Sequence, residues 1–130
     1  MQIPAFRAAL AGAVLSALFA ATALAQGAPV ATGESAKGAI LVDAKGMTLY
    51  TFDKDTTGKS ACNGECATAW PPLLADANAA PAGDYSVITR DDGAKQWAYQ
   101  GKPLYTWVKD MKPGDITGDN FKDIWHVVQP

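Results

Sequence analysis

Two cysteines and one histidine are the side chains in this sequence that could support redox or metal chemistry. Cys62 and Cys66 are four residues apart, a spacing that brings two Cα atoms within bridging distance on a helical turn. In an oxidising compartment such a pair is most simply a structural disulfide. The alternative is a redox-active or copper-binding pair with His126 as a third ligand. Met47 or Met111 would add a thioether, which suits copper as the other soft ligands do.

Other metal sites fit the sequence less well. A c-type haem is attached through Cys-x-x-Cys-His, whereas here the spacing is one residue longer and Ala67 follows the second cysteine. A structural zinc ion takes four ligands, and two cysteines with one histidine supply three. Asp115, Asp119 and Asp123 do not reproduce the alternating oxygens of an EF-hand calcium loop. We therefore predict no cofactor.

Catalytic residues are not recognisable in the sequence. His126 is the single histidine, and no serine forms a plausible nucleophile–base pair with it. The chain has no glycine-rich phosphate-binding loop. Its acidic residues lie in turn-like segments, where no pair of glycosidase carboxylates can be assigned. We therefore predict that the protein is not an enzyme.

One segment of the chain occurs twice. Residues 46–52, Gly-Met-Thr-Leu-Tyr-Thr-Phe, are echoed 55 positions later by residues 101–107, Gly-Lys-Pro-Leu-Tyr-Thr-Trp. The offset continues without a gap, because Trp70 matches Trp125. A repeat of this length marks a supersecondary unit that cannot bury its apolar face alone, so we expect the two copies to pack together as one domain.

The most specific motif is the repeated Tyr-Thr-aromatic unit with a Lys-Asp pair after it. In a strand, the tyrosine and the aromatic residue two positions on point to the same face. The aspartate follows the strand, where it can accept hydrogen bonds from turn N–H groups or from a tyrosine hydroxyl. The aromatic residues then either fill the core or line a shared groove for an apolar ligand or a partner. The candidate residues are Tyr50, Phe52 and Asp55 in the first copy and Tyr105, Trp107 and Asp110 in the second.

The remaining pattern is mainly β. Apolar runs on either side of turn residues predict three hairpins: 39–42 with 47–52, 85–89 with 95–99, and 95–99 with 104–108. Residues 124–128 are predicted to form the last strand, and the segment 75–83 to link the copies. One short helix or ordered loop is predicted from Ser60 to Trp70, where Pro71 stops it.

The N-terminal 25 residues have the features of a secretory signal. Arg7 precedes a run of 16 mostly apolar residues from Ala8 to Ala23, and small residues precede an expected cleavage after Ala25. The run is shorter than the roughly 20 residues that span a bilayer. We therefore expect a mature protein without a transmembrane segment, in the periplasm or outside the cell.

The mature chain is predicted to be one domain with a mild negative charge. Residues 26–37 are predicted to be a flexible leader, and residues 38–130 a two-repeat β domain, with repeats at about 38–75 and 93–130. Loss of Arg7 leaves 10 basic and 13 acidic residues. This balance argues against binding to nucleic acid, whose partners carry a concentrated basic face, and against docking to anionic lipid.

Both motif copies match the pattern Tyr-x-(Phe/Trp/Tyr)-x-x-Asp, at residues 50–55 and 105–110. With Cys62 to Leu73 and the segment from 112 to 128, the chain resembles a family of secreted or lipoprotein repeats over residues 38–129. It differs from many relatives in lacking a lipid-anchor cysteine, and in carrying residues 119–123 where a Gly-rich segment is expected. The resemblance implies a bacterial envelope protein of unknown function, with no catalytic residues to carry over.

From these observations we predict a small, mainly β, single domain of two tandem hairpin-based repeats, forming a sandwich or barrel-like sheet with one short helix. Its predicted role is that of a non-catalytic binding or accessory module for an unknown protein or a small apolar ligand of the envelope. The alternative is an envelope redox or metal accessory protein, copper- or haem-linked, that uses the Cys62/Cys66 pair.

Overall fold

The structure, a computed structural model, describes residues 27–130, so the signal-peptide prediction for residues 1–25 lies outside the described part. Within this part no helix has the length and apolar character to cross a membrane. A single short α-helix, α1, spans Glu65–Ala69, and a 3₁₀ turn spans Phe121–Asp123. The strands are β1 (Ala31–Ser35), β2 (Gly38–Val42), β3 (Tyr50–Phe52), β4 (Tyr85–Thr89), β5 (Lys95–Tyr99), β6 (Lys102–Pro103) and β7 (Trp125–Val127).

These strands form three small antiparallel sheets: β1 with β2, β3 with β7, and β4 with β5 and β6. The prediction of a mainly β chain with a short helix is confirmed. The described sheets do not by themselves define a sandwich or a barrel.

The predicted hairpin between residues 85–89 and 95–99 is present with Val87 opposite Trp97. Its turn ends at Gly93, whose φ of 89° lies in the left-handed region that favours glycine. The helix is shorter than the predicted span, because Gly64 before it has a φ of 58° and Pro71 follows Trp70 at its end.

The prediction of a flexible leader over residues 26–37 is wrong for its second half. Residues 31–35 form β1, which pairs with β2 along its full length. The turn between the two strands is closed by Ser35, whose hydroxyl donates to the Gly38 carbonyl and accepts the Lys37 N–H. The backbone ladder to β2 provides these contacts, so β1 does not need the apolar residues that the prediction looked for.

The two repeats are interlocked through their strands. In the first copy, Asp53 N–H donates to the carbonyl of Ile124 at 2.8 Å. The equivalent bond 55 residues later runs from Val108 N–H to the Ala69 carbonyl at 3.1 Å. Each motif strand therefore pairs with the closing segment of the other repeat and not with its own.

At the centre of this arrangement, Tyr50 and Tyr105 exchange both backbone hydrogen bonds, at 2.8 and 3.0 Å. On either side of the pair, three chain segments meet in a ring of backbone bonds. One ring joins Leu41, Val128 and Leu49, and its counterpart joins Trp97, Leu73 and Leu104. These repeated contacts are the pattern of an approximate two-fold symmetry relating the copies.

Alternating residues of the central strands enter two different cores, as the period of a strand requires. Leu49 and Leu104 belong to one cluster with Leu41, Trp97 and Val128. The neighbouring tyrosines enter a second, aromatic cluster, whose buried members are Tyr50, Cys62, Trp70, Tyr105 and Trp125. The aromatic cluster contains the candidate functional residues.

Candidate functional site

Four aromatic rings form a continuous stack in the aromatic cluster, in the order Phe52, Trp125, Trp70 and Trp107. Successive ring centroids are 4.2, 3.9 and 4.0 Å apart, and successive interplanar angles are 13°, 2° and 23°. Phe52 of the first copy stacks on Trp125 of the second, and Trp107 of the second stacks on Trp70 of the first. The exchange seen in the backbone is therefore repeated by the side chains.

The two motif tyrosines meet this stack edge-on. The ring of Tyr50 is 5.3 Å from that of Trp70 at 80°, and the ring of Tyr105 is 5.2 Å from that of Trp125 at 87°. Offset and edge-to-face contacts are the preferred geometries of aromatic pairs. The tyrosines therefore fix the lateral position of the two central indoles.

Each motif tyrosine donates its hydroxyl proton to the motif aspartate of the other repeat. The Tyr50 hydroxyl lies 2.6 Å from Asp110 Oδ2, and the Tyr105 hydroxyl lies 2.7 Å from Asp55 Oδ2. Burial, followed by the hydrogen bond to Asp110, raises the pKa of Tyr50 well above its usual range. Burial likewise raises the pKa of Tyr105.

The same aspartates also order the turns that follow them. Asp110 Oδ1 accepts the N–H and the hydroxyl of Thr117 at 2.9 and 2.6 Å, and Asp55 Oδ1 accepts the Ala61 N–H at 2.7 Å. Burial raises the pKa of the Asp55 carboxyl. Both kinds of contact that the sequence allowed for these aspartates are present, but each tyrosine bond crosses between the copies.

Arg90 is a central residue that the sequence reasoning missed. Its guanidinium is buried and donates to Ser60 Oγ at 3.0 Å, to Gln96 Oε1 at 2.8 Å and to the Cys62 carbonyl at 2.6 Å. Ser60 Oγ in turn lies 2.6 Å from the Tyr105 hydroxyl. The arginine thus ties the disulfide segment to the second repeat. No sequence signal marked it, because an arginine before Asp-Asp-Gly looks like a turn residue.

The two cysteines form the predicted disulfide, with their Cα atoms 5.2 Å apart. Cys62 is buried and Cys66 is half-buried. His126 lies elsewhere, with Nε2 at 2.8 Å from Asp53 Oδ2 and Nδ1 at 3.1 Å from Asn120 Oδ1. In residues 27–130 no three histidine, cysteine or acidic side chains are close enough to hold a metal. The structure therefore does not bring Cys62, Cys66 and His126 together as a ligand set.

An open groove of about 390 Å³ runs along the aromatic stack. One wall is α1, with Glu65, Cys66 and Ala69, and the opposite wall is the segment 121–124. Phe121 occupies the position that matches Cys66 in the first copy, so the walls are equivalent in fold and different in chemistry. The half-buried rings of Phe52 and Trp107 belong to the floor of the groove.

The wall carrying Phe121 has a strained backbone. Asn120, Lys122 and Asp123 have φ values of 63°, 52° and 63°, which non-glycine residues rarely adopt. The conformation aims the Phe121 ring at Trp107, with centroids 5.0 Å apart. Lys122 Nζ lies 5.6 Å from the centroid of the same ring. Backbone strain of this kind clusters at ligand-binding and active sites.

Comparison with known proteins agrees with the repeat seen in the structure. A family model described as a secreted repeat of unknown function matches residues 31–74 and again residues 86–129. The matched repeats begin at β1 and β4, earlier than the predicted starts at residues 38 and 93. Neither the curated proteins nor the solved structures gave a match to this chain. The chain therefore belongs to the family of secreted repeats of unknown function, and it contains two copies of that repeat.

Proposed function

We propose that this protein is a non-catalytic binding module of the bacterial periplasm, and that the groove over its aromatic stack takes a small, flat, apolar ligand. One observation carries the proposal: the rings of Phe52, Trp107 and Phe121 remain half-buried around an open recess of about 390 Å³. A volume of this size lies at the lower end of the range of small-molecule sites. Flat, ring-lined surfaces favour ligands that can stack on them.

The groove is held in shape before any ligand arrives. Trp70 and Trp125 are each about 3% exposed, and their positions are fixed by stacking and by the edge-on tyrosines. The strained segment 120–123 fixes Phe121 over the opposite end. Because little side-chain freedom is left to lose, a stacking ligand meets a small ordering cost.

The chemistry of the lining supports binding without catalysis. Glu65 and Lys122 are the ionisable groups of the groove other than the disulfide-bonded Cys66, and they stand on opposite walls. The described residues form no hydrogen bond or ion pair between them. A nucleophile with an adjacent base, which covalent catalysis needs, is not formed by this pair.

A periplasmic location is supported by three independent features. The family is described as secreted, the N-terminal residues have the pattern of a signal peptide, and the Cys62–Cys66 disulfide suits an oxidising compartment. Cell fractionation with antibody detection tests it. Recovery of the protein in the cytoplasmic fraction with an uncleaved N-terminus would contradict the location.

Ligand binding can be tested with a neutral flat probe, N-phenyl-1-naphthylamine, followed by quenching of tryptophan fluorescence. We expect saturable binding of one probe per chain, and at least about tenfold weaker binding in Trp107→Ala and Phe121→Ala, the equivalent of 1.4 kcal/mol. Met111→Ala is the matched control, because Met111 is an apolar side chain that is 82% exposed and outside the groove. Unsaturable binding, or equal loss in the control, would contradict the proposal.

A redox role for the cysteine pair is the second candidate, favoured by the position of Cys66 in the wall of the groove. Equilibration of the folded protein with glutathione buffers separates the two roles. A redox-active disulfide is reduced within the range of the buffer, whereas a structural one resists it.

A further inference from the structure

The aromatic stack contains three indoles in direct contact, and one of them reaches the surface. Trp107 is half-buried, while Trp70 and Trp125 are almost fully covered. Indole and phenol rings are the side-chain rings that lose a single electron most readily. Because the Trp107–Trp70 and Trp70–Trp125 centroids are 4.0 and 3.9 Å apart, their π-systems touch, and an electron vacancy can pass between them.

Both buried ends of this path have a tyrosine whose proton has a place to go. A phenol oxidised near neutral pH gives up its proton with the electron. Tyr50 already donates to Asp110 at 2.6 Å and Tyr105 to Asp55 at 2.7 Å. Each tyrosine also contacts an indole edge-on. Proton transfer to the carboxylate lowers the cost of oxidising the phenol.

We propose that the stack is a relay that carries an electron vacancy from Trp107 to the buried pairs Tyr50–Asp110 and Tyr105–Asp55. A one-electron oxidant at the surface, such as an oxidised metal complex or a peroxyl radical, removes one electron from the Trp107 indole and is itself reduced. Trp70 then supplies an electron to Trp107. The vacancy now resides on a buried indole radical cation.

The final transfer moves one electron and one proton. An electron passes from Tyr50 to the Trp70 radical cation, while the hydroxyl proton of Tyr50 moves to Asp110 Oδ2. The products are a neutral indole, a neutral tyrosyl radical and a protonated carboxyl, so charge and atoms balance. In a medium of low dielectric, cancelling the radical cation against the carboxylate is favourable. The second pair does the same through Trp125, Tyr105 and Asp55.

The other close tyrosine pair lacks these features. Tyr85 and Tyr99 have ring centroids 5.2 Å apart and lie against the aliphatic core. In the described chain neither hydroxyl is hydrogen-bonded to a carboxylate. Tyr85 and Tyr99 are therefore matched controls with the same chemistry and no path to the stack.

The relay can be tested on the folded protein with a photogenerated ruthenium(III) polypyridyl oxidant and time-resolved absorption. In the wild-type protein we expect the tryptophan radical spectrum to decay into a tyrosyl spectrum. The Tyr50→Phe/Tyr105→Phe variant should lose the tyrosyl signal and keep a long-lived tryptophan radical. The Tyr85→Phe/Tyr99→Phe control should behave as wild type. A tyrosyl signal unchanged in the first variant, or lost in the control, would overturn the proposal.

A second measurement needs no variant and so does not depend on whether the substitutions are tolerated. Because the proton of the tyrosine moves with the electron, conversion of the tryptophan radical to the tyrosyl radical should be slower in D₂O than in H₂O. An equal rate in the two solvents would overturn the coupled transfer to the aspartates.

Discussion

The indole rings of Trp70 and Trp125 lie face to face, with centroids 3.9 Å apart and planes 2° from parallel. The two residues hold the same position in the two repeats, 55 residues apart. Each also stacks on an aromatic residue from the motif strand of the opposite copy. Neither repeat therefore contains a complete core of its own, and the stability of one copy depends on the presence of the other.

The closest contact to the stack predicts the effect of Gly118→Ala. A Cβ at residue 118 would lie 2.6 Å from Trp70 Cη2 and 3.0 Å from two carbons of Trp107. Since the indoles are stacked and cannot retreat, overpacking should cost about 1 to 3 kcal/mol of unfolding free energy. Chemical denaturation followed by near-ultraviolet circular dichroism measures the loss. Gly27→Ala is the control, since nothing lies within 4 Å of its added Cβ.

The crossed hydrogen bonds predict that Tyr50→Phe and Tyr105→Phe are destabilising although the rings remain. Each substitution removes a bond to a carboxylate, and for Tyr50 the carboxylate is that of buried Asp110. A hydrogen bond to a charged group contributes about 1.5 to 3 kcal/mol. Urea denaturation gives the free energies. If Tyr85→Phe, which loses no such bond, costs as much, the crossed bonds are not the cause.

Much of this arrangement could be predicted from the sequence, because a repeat states its own register. The match of Trp70 with Trp125 and the alternation of Leu49 with Tyr50 follow from spacing alone. What spacing cannot give is the partner. Two copies with the same tyrosine and aspartate are compatible with bonds within a copy or between copies. The backbone pairing of Tyr50 with Tyr105 decides for the second.

The groove was harder to predict than the core. The aromatic groove was one of two interpretations of the motif, yet Phe121 was assigned to a polar, irregular excursion. Its position depends on the left-handed conformations of Asn120 and Lys122, which leave no pattern in the sequence. The strand at 31–35 was missed for a related reason, since its backbone pairing carries no apolar signature.

The buried guanidinium predicts that Arg90→Lys is not a conservative change. Lysine cannot reproduce the two-pronged bonds to Gln96 and to the Cys62 carbonyl. We expect Arg90→Lys to lose about 2 kcal/mol, and Arg90→Met about 3 kcal/mol, because buried acceptors are left without a donor. Thermal unfolding at constant pH orders the variants. An unchanged midpoint in both would show that these bonds do not stabilise the fold.

Burial of Asp55 predicts a pH-dependent contribution to stability. Its folded-state pKa is raised above the ordinary value of 3.8. Above that value the unfolded chain releases the proton before the folded chain does, so the contribution is present below pH 3.8 and is lost as the pH rises through the folded pKa. The stability of wild type relative to Asp55→Asn should therefore fall over this interval, measured by urea denaturation at successive pH values.

Asp119 provides the contrast of opposite sign. Burial raises its pKa, but hydrogen bonds from Lys37 and from the Val127 N–H outweigh burial, so the net pKa is lowered. Its contribution should be present above pH 3.8 and be lost as the pH falls. Parallel curves for Asp55→Asn and Asp119→Asn would contradict both assignments.

The most direct test of the interlocked repeats is a cut between them. A protease site inserted at Asn78, an exposed residue of the connecting segment, allows the folded chain to be cleaved into its two copies. The crossed strands, the shared stack and the exchanged Tyr–Asp bonds predict that the cleaved pieces elute together in size-exclusion chromatography. They should also keep the near-ultraviolet circular dichroism of the intact protein. Separation without denaturant into two pieces, each with its own cooperative unfolding transition, would contradict the shared core.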